Sequence, residues 1–346
     1  MSLILTRTQN MREGSNIDKN EYRQSQYGGL DLFMTQSNQA GGILTPQIKE
    51  AAQRSVGSIL ETPVIDYDGG VTIGNARSLT IADSELTSRM IQVNFATYTF
   101  GFTQTPTLFN NNEIAIQEDF NKKMQARLYK LASTLDAAAL AALTANKNRV
   151  FNNALGYTVT GNVLQVPFTK RELIIGDISG IMSANDYFQP LHLVGNAGLT
   201  SIINRLKQFG ANNSQDKSNE YMGKTLHISN GLANEAGAFA SVFAVEQGQT
   251  GMLFRFDREA LANRVMADGT TWDTTTLPML GIPCGTYFYE SKGDFSGIAG
   301  AASADMTVAY KQHFGFSVDI AFMTPYNSDI VTRPNPITKF NILAEA

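Results

Sequence analysis

The chain has 346 residues, 43% of them hydrophobic and 17% charged, a formal net charge of −4 and a single cysteine, Cys284. A chain of this length buries a core without metal or disulfide staples, and one cysteine excludes an intrachain disulfide. The acidic balance, with a pI near 5.5, excludes a dedicated nucleic-acid binder with a basic face. No signal peptide is expected from the short apolar patch Leu3-Ile4-Leu5, and the longest aliphatic run, Ala137 to Leu143, is far below the ~18 residues of a membrane span. The composition therefore predicts a soluble protein made in a reducing cytoplasm. Its charged fraction, below the roughly 25% of typical domains, fits either a surface partly covered by neighbouring subunits or ordinary variation.

Residues 1 to about 44 are rich in Asn, Gln, Ser and Gly and are expected to form an extended arm. Thr45-Pro46 has the pattern of an N-cap followed by proline at the first helical position, opening a helix to about Ile59, and Pro63 and the pair Gly69-Gly70 end it. From Val71 to Phe102 the chain is strand-like. Leu79-Thr80-Ile81 is one strand, Asp83-Ser84-Glu85 a turn, and Ile91, Val93 and Phe95 alternate on the next. Little of this long hairpin is continuously apolar, so it is expected to project from the body and to need partners.

No Gly or Pro occurs from Thr107 to Leu155, and Ile116, Phe120, Met124, Leu128, Leu131, Leu135, Ala138 and Ala142 recur every three or four positions. The spacing predicts one amphipathic helix over 113–145, capped by Asn112, with Glu118→Lys122 and Asp119→Lys123 in the favourable i,i+4 order. It would be ~50 Å long, against a radius of gyration of ~20 Å for a compact chain of this size. Such a helix crosses the whole body.

Residues 157–256 alternate between helix and strand patterns. Thr169 to Glu172 fits a capping box opening a helix that carries Ile174, Ile178 and Ile181. Leu191 to Val194 is a strand, Leu199 to Phe209 a helix closed by Gly210, and 211–220 a polar loop. Strands are expected at Thr225–Ser229, Ala240–Val245 and Met252–Phe256, then a short helix near Arg258 to Val265. The last third returns to strands at Thr286–Glu290, Met306–Tyr310, Phe314–Ile320 and Ile337–Leu343. The fold class is α+β.

No chemistry-bearing motif emerges. His192, His227 and His313 each lie in or beside apolar strand segments and are read as structural, and no metal-ligand cluster is present. Gly223-Lys224-Thr225 lacks the leading glycine of a P-loop and precedes a strand. Ser179 and Ser296 sit in G-x-x-S-G rather than in a nucleophile elbow. Asp66 and Asp68 beside the glycine pair are read as a turn.

The order of parts resembles the tailed-bacteriophage major capsid protein family, the Hong Kong 97-type fold that encapsulins and the floor of herpesvirus capsids share. The matching parts are an N-terminal arm and short helix (1–61), an E-loop hairpin (62–104), a spine helix of the P domain (105–156), an A domain (157–256) and return strands of the A and P domains (257–346). The run Lys311-Gln312-His313-Phe314-Gly315-Phe316-Ser317-Val318-Asp319-Ile320, followed by Thr324-Pro325-Tyr326-Asn327, resembles the returning P-domain strands.

The resemblance implies a structural protein rather than an enzyme, with no catalytic residue, cofactor or metal, located in the virion capsid after assembly in the bacterial cytoplasm. Its partners would be copies of itself in hexamers and pentamers, a separately supplied scaffolding protein, a portal protein, decoration proteins in some shells, and packaged DNA held by weak non-specific contact, with no membrane. Arg77, Arg89, Phe95 and Phe100 are expected at intersubunit contacts, the alternative for each being a solvated or locally packed side chain. The 211–220 loop is expected to face a symmetry axis. Some members cross-link an E-loop lysine to an asparagine of another subunit. Here no lysine occurs between Lys49 and Lys122, so no such bond is expected. An encapsulin-type nanocompartment shell and an α/β enzyme using 157–256 are the competing readings.

Overall fold

The computed structural model describes residues 3–14, 27–37, 39, 42–54, 59–65, 88–109, 112–188, 190–210, 220–221, 223–255, 269–293, 309–325 and 334–345. Its helices are α1 (Leu3–Gly14), α2 (Gly28–Gln36), α3 (Pro46–Arg54), α4 (Glu113–Ala145), α5 (Ile174–Ala184) and α6 (Ala197–Gly210). Helix α4 is the predicted 33-residue spine. The Asn112 side chain accepts hydrogen bonds from the Ile114 and Ala115 N–H groups at 3.1 and 3.4 Å, as an N-cap does. Ile116, Phe120, Met124, Leu128, Leu131 and Leu135 are all buried, so the spacing seen in the sequence is the face turned to the core. Glu118–Lys122 pairs at 2.7 Å on its exposed side, whereas Asp119–Lys123, at 2.9 Å, lies against β3, where Asp119 accepts from Gln104 and Lys123 donates to the Thr103 carbonyl.

Strands β1 to β14, numbered in chain order, form three sheets. An antiparallel sheet is centred on β13 (Ala309–Met323), which pairs with β3 (Ala96–Gln104), β10 (Gly251–Arg255) and β12 (Pro283–Gly293), and β11 (Thr271–Thr276) flanks β12. Alternation puts Phe314, Phe316, Val318 and Ile320 on one face of β13, each at most 2% exposed. That face meets α4: Phe120 packs edge-on against Phe102 and Phe314, with centroids 5.2 and 5.1 Å apart.

The second sheet has seven strands in the order β4 (Thr158–Thr160), β5 (Val163–Val166), β14 (Ile337–Leu343), β9 (Ala238–Glu246), β6 (Leu191–Gly195), β8 (Lys224–Ile228), β7 (Glu220–Tyr221). β5 and β14 run parallel, as do β6 and β8, the latter joined by α6 as a crossover helix. Both faces are covered. Leu193, Val242, Ala244 and Phe340 face α5 and α6, whereas Val194, Phe243 and Val245 face the core shared with α2, α4 and the first sheet. Burial on both sides is why β9 reads as an almost unbroken apolar run. No helix among the described residues is long and apolar enough to cross a membrane.

The third sheet is a ribbon of β1 (Ile59–Ile65) and β2 (Ser88–Asn94), antiparallel from Ile59↔Asn94 to Ile65↔Ser88. Among the described residues, the stretch expected as one hairpin divides at Phe95: β2 before it pairs with β1 in the ribbon, and β3 after it joins the body sheet over nine positions. The expected strand Leu79–Ile81, the turn at 83–85, the loop at 211–219 and the helix near 258–265 lie outside the described residues.

Three expectations are corrected. The N-terminal region is not wholly extended: α1 and α2 bury Ile4, Met11, Leu30, Leu32 and Phe33, because α4 and the sheets supply the apolar surface the segment lacks by itself. Helix α3 is described from Pro46 to Arg54, and Ile59, expected at the end of that helix, begins a strand instead. Thr169 does not open a capping box. It sits in a 3-10 turn, and α5 begins after Leu173 with no side-chain cap.

Truncating Phe120 to Ala removes the ring between α4 and the β3–β13 face and is expected to cost about 3–5 kcal/mol, as for other buried aromatics. Urea unfolding measures it as a lower midpoint at unchanged slope. A loss below about 1 kcal/mol would show that this contact is not a main support of the body.

Candidate functional site

Helix α2 is only nine residues long, and seven of them are buried. It opens with Gly28-Gly29 because no larger residue fits: a Cβ on Gly28 would lie 2.6 Å from the Ile228 carbonyl carbon, and one on Gly29 would lie 2.9 Å from Asp136 Oδ1. The helix N-terminus is thereby set against β8 and against the middle of α4.

Asp136 closes this junction. It lies on the buried stripe of α4, 2% exposed. Its Oδ1 accepts the Leu30 N–H at 3.0 Å, its Oδ2 accepts the Ser229 hydroxyl at 2.6 Å, and the Gly29 N–H also donates to it. A carboxylate at a helix N-terminus meets the positive end of the helix dipole and its unpaired N–H groups. Burial nevertheless dominates: desolvation holds the Asp136 carboxyl above its ordinary pKa, with the three hydrogen bonds pulling the other way.

One turn along α2, Asp31 reaches the sheet. Its Oδ2 lies 2.7 Å from His227 Nδ1, and His227 Nε2 lies 3.0 Å from His192 Nδ1, the two rings stacked with centroids 5.3 Å apart. His227 is on β8 and His192 on the adjacent parallel strand β6. An ionised Asp31 accepts the proton on His227 Nδ1. His227 Nε2 is then an acceptor, so His192 donates through Nδ1 and keeps its own Nε2 unprotonated. Desolvation first, and the neighbouring His227 second, lower the His192 pKa to about 4, with Asp31 opposing.

The other end of α2 is tied to the first sheet. Gln36 Oε1 accepts from the Thr250 N–H and hydroxyl at 2.9 and 2.8 Å, and Ser37 Oγ accepts the Met252 N–H at 2.6 Å. Helix α2 is thus a strut: its first turn binds α4 and the seven-stranded sheet, and its end binds β10.

Among the residues expected at intersubunit contacts, Arg77 lies outside the described residues, and Arg89 is placed in β2 opposite Val64. Phe95 is 7% exposed and packs with Leu44, Val93 and Leu253, the Arg255 guanidinium 4.8 Å over its ring. Phe100 is half-buried and stacks on Phe316 at 4.9 Å. These two rings have partners in their own chain. His192 and His227 meet each other, whereas His313 sits apart, 2.8 Å from Ser291 Oγ and stacked on Tyr289 at 4.3 Å. It borders a recess of about 660 Å³ between β3, β12 and α4, whose walls include Lys123 and Arg127. Gly223 is a turn glycine at φ +70°, and Lys224 and Thr225 continue into β8. Among the described residues no three His, Cys, Asp or Glu side chains are grouped to hold a metal ion.

Asp31, Asp136 and Ser229 were not legible as a site. One signal existed: an aspartate on the apolar stripe of a long helix has to be satisfied by something folded against it.

No family model matches the chain, and no curated protein matches it. Solved structures similar to it include one from Mycobacterium phage Bobi (11% identity over 96% of each chain, TM-score 0.47) and one from Gordonia phage Cozz (13% identity, 96% of this chain and 91% of that one, TM-score 0.46). A third is described as the capsid structure of the Cyanophage P-SCSP1u (12% identity, 91% of this chain and 94% of that one, TM-score 0.42).

Asp136→Ala leaves the Leu30 N–H, the Gly29 N–H and the Ser229 hydroxyl without their acceptor and is expected to destabilise by about 3 kcal/mol or more; Asp136→Asn, which keeps one acceptor, by less than half of that. Thermal and urea unfolding of the pair measure this. Equal losses for the two variants would show that the carboxylate's hydrogen bonds do not hold α2.

Proposed function

We propose that the chain is a shell-building subunit, the major capsid protein of a tailed bacteriophage, assembling into hexamers and pentamers of an icosahedral head around double-stranded DNA. The observation that carries this reading is the β1–β2 ribbon. It is hydrogen-bonded to neither body sheet, and its base is held through Val93 to a small cluster with Leu44, Ala52 and Phe95. Two strands alone are marginal in water, so the ribbon needs a covering surface, and a neighbouring copy supplies one. The order of parts behind it supports the same reading: a ribbon, a ~50 Å helix laid on an antiparallel sheet, and a second α/β sheet sharing one core with the first.

On this reading Arg77 and Arg89 remain proposed contact residues, whereas Phe95 and Phe100 act by seating the ribbon's base. Arg127 and Lys130 are exposed on α4 and offer DNA phosphates a weak, non-specific contact. Scaffolding, portal and decoration proteins are partners of the same proposal. An encapsulin-type shell uses the same parts around a protein cargo, and the contents of purified particles separate the two. The buried junction gives the α/β-enzyme reading no support, since its histidines are engaged with each other and with Asp31.

Size-exclusion chromatography with negative-stain electron microscopy of the purified protein tests the proposal. Rings of five and six or closed shells are expected. A monomer that persists at every concentration and salt, with and without scaffolding protein, would overturn it.

A further inference from the structure

Between β2 and β3 the ribbon and the first sheet meet at one residue. Asn94 still pairs with Ile59 in the ribbon and Ala96 already pairs with Ile320 in the sheet, so Phe95 between them belongs to neither ladder. Two soft backbone dihedrals at such a residue are enough to swing the strand beyond it. Ser88, at the far end of β2, lies about 23 Å from Phe95 at ordinary strand rise, so a turn of about 20° at Phe95 would carry it about 8 Å.

The Phe95 side chain opposes that swing. The register of β3 against β13, continued one step past Ala96, puts Phe95 beside Ala321, and the ring packs with Ala321, Leu253, Leu44 and Val93. Apolar packing is non-directional, so a ring held by it alone can tilt. The directional contact is the guanidinium of Arg255, 4.8 Å over the ring.

Arg255 is itself fixed. One row of side chains crosses three strands on the same face of the sheet: Arg255 of β10, Asp319 of β13 and Thr97 of β3. Asp319 Oδ2 accepts from Arg255 Nε and Nη2 at 3.3 and 3.0 Å, and its Oδ1 accepts the Thr97 hydroxyl at 2.6 Å. The two charged side chains are only 10% and 11% exposed, and Arg255 Nη1 is buried without a hydrogen-bond partner. The face of Phe95 is the group left to meet the cation.

We propose that Arg255 is the positioning residue of the ribbon: held in place by Asp319, it clamps the Phe95 ring and sets the direction in which the ribbon leaves the body. Apolar side chains of similar size would cover Phe95 at no loss of stability, since a buried ion pair is on balance no more stabilising than they are. The pair adds a planar cation at a fixed place. This role belongs to the single chain and holds whether or not copies assemble into a shell.

Spin-label distances test it. Cysteines replace Ser88 in the ribbon and Lys122 on the exposed side of α4, Cys284 is changed to Ala, and the labelled full chain is diluted about tenfold into unlabelled chain so that distances within one chain are read. A second pair, at Lys122 and Thr160, monitors the body. With Arg255 and Phe95 intact, one narrow 88–122 distance is expected. Arg255→Gln, which can still donate to Asp319 but brings no charge to the ring, is expected to widen that distribution at least twofold and to leave the 122–160 distribution unchanged. Phe95→Met fills the socket with an apolar side chain of similar volume but has no ring face, and is expected to widen it likewise. Where Arg255→Gln does not fold, the Phe95→Met result decides. A folded variant of either kind with no widening at 88–122 overturns the assignment. Equal widening at 122–160, or an 88–122 distribution already as broad with both residues intact, overturns it as well.

Discussion

A carboxylate inside a protein costs several kcal/mol unless its oxygens are fully occupied, and Asp136 meets that requirement with groups from outside its own helix. Two donors come from the first turn of α2 and one from Ser229 at the end of β8. The carboxylate therefore ties three separate elements to one point. It also explains the glycines around it: Gly29 and Gly231 lie so close that a Cβ at either would approach an Asp136 oxygen to 2.9 Å. Apolar packing is non-directional and tolerates small slips, whereas a buried carboxylate accepting three hydrogen bonds fixes the register of α2 against α4 and β8.

From that fixed point the rest of the body follows. Both sheets turn an apolar face to the same core, which α4 crosses from end to end. Two sheets in contact only through side chains could rotate against each other. Helix α2 prevents this by binding the seven-stranded sheet at its start and β10 at its end. Arg7 of α1 adds a second tie, its guanidinium donating to Gln104 of β3 at 2.6 Å while Gln104 donates to the Ile116 carbonyl of α4 at the same distance.

The elements visible in the sequence were those with one exposed side. Helix α4 repeats its apolar residues because its outer face is wet, and the run from Phe314 to Ile320 alternates because one face of β13 packs large apolar side chains on the core while the other carries Gly315, Ser317 and Asp319. Helix α2 gave no such contrast: buried nearly all round and opened by two glycines, it has neither a 3.6-residue pattern nor helix propensity. Thr169 to Glu172 matched a cap pattern, yet Phe168–Lys170 form a 3-10 turn and the helix begins at Ile174. The junction was illegible for another reason. Residues 31, 136, 192, 227 and 229 are brought together by four elements, α2, α4, β6 and β8 with the residue that follows it, and no spacing along the chain encodes their meeting. Only the histidines were noted beforehand, as structural residues in apolar strands.

On the shell reading, this division between stiff interior and lightly held exterior acquires a purpose. One chain placed in rings of both five and six meets its neighbours at two different angles, so the difference has to be absorbed where few internal contacts oppose it. In the described residues that place is the β1–β2 ribbon, which is bonded to neither sheet and held at its base by Val93 and Phe95. The body does not share the strain, because its two sheets, α2 and α4 are joined by buried hydrogen bonds that tolerate little angular change. The N-terminal helices belong to the stiff interior: α2 is packed as core and tied to α4, β8 and β10 by buried hydrogen bonds through Leu30, Asp31 and Ser37, so the ribbon remains the place where the chain yields.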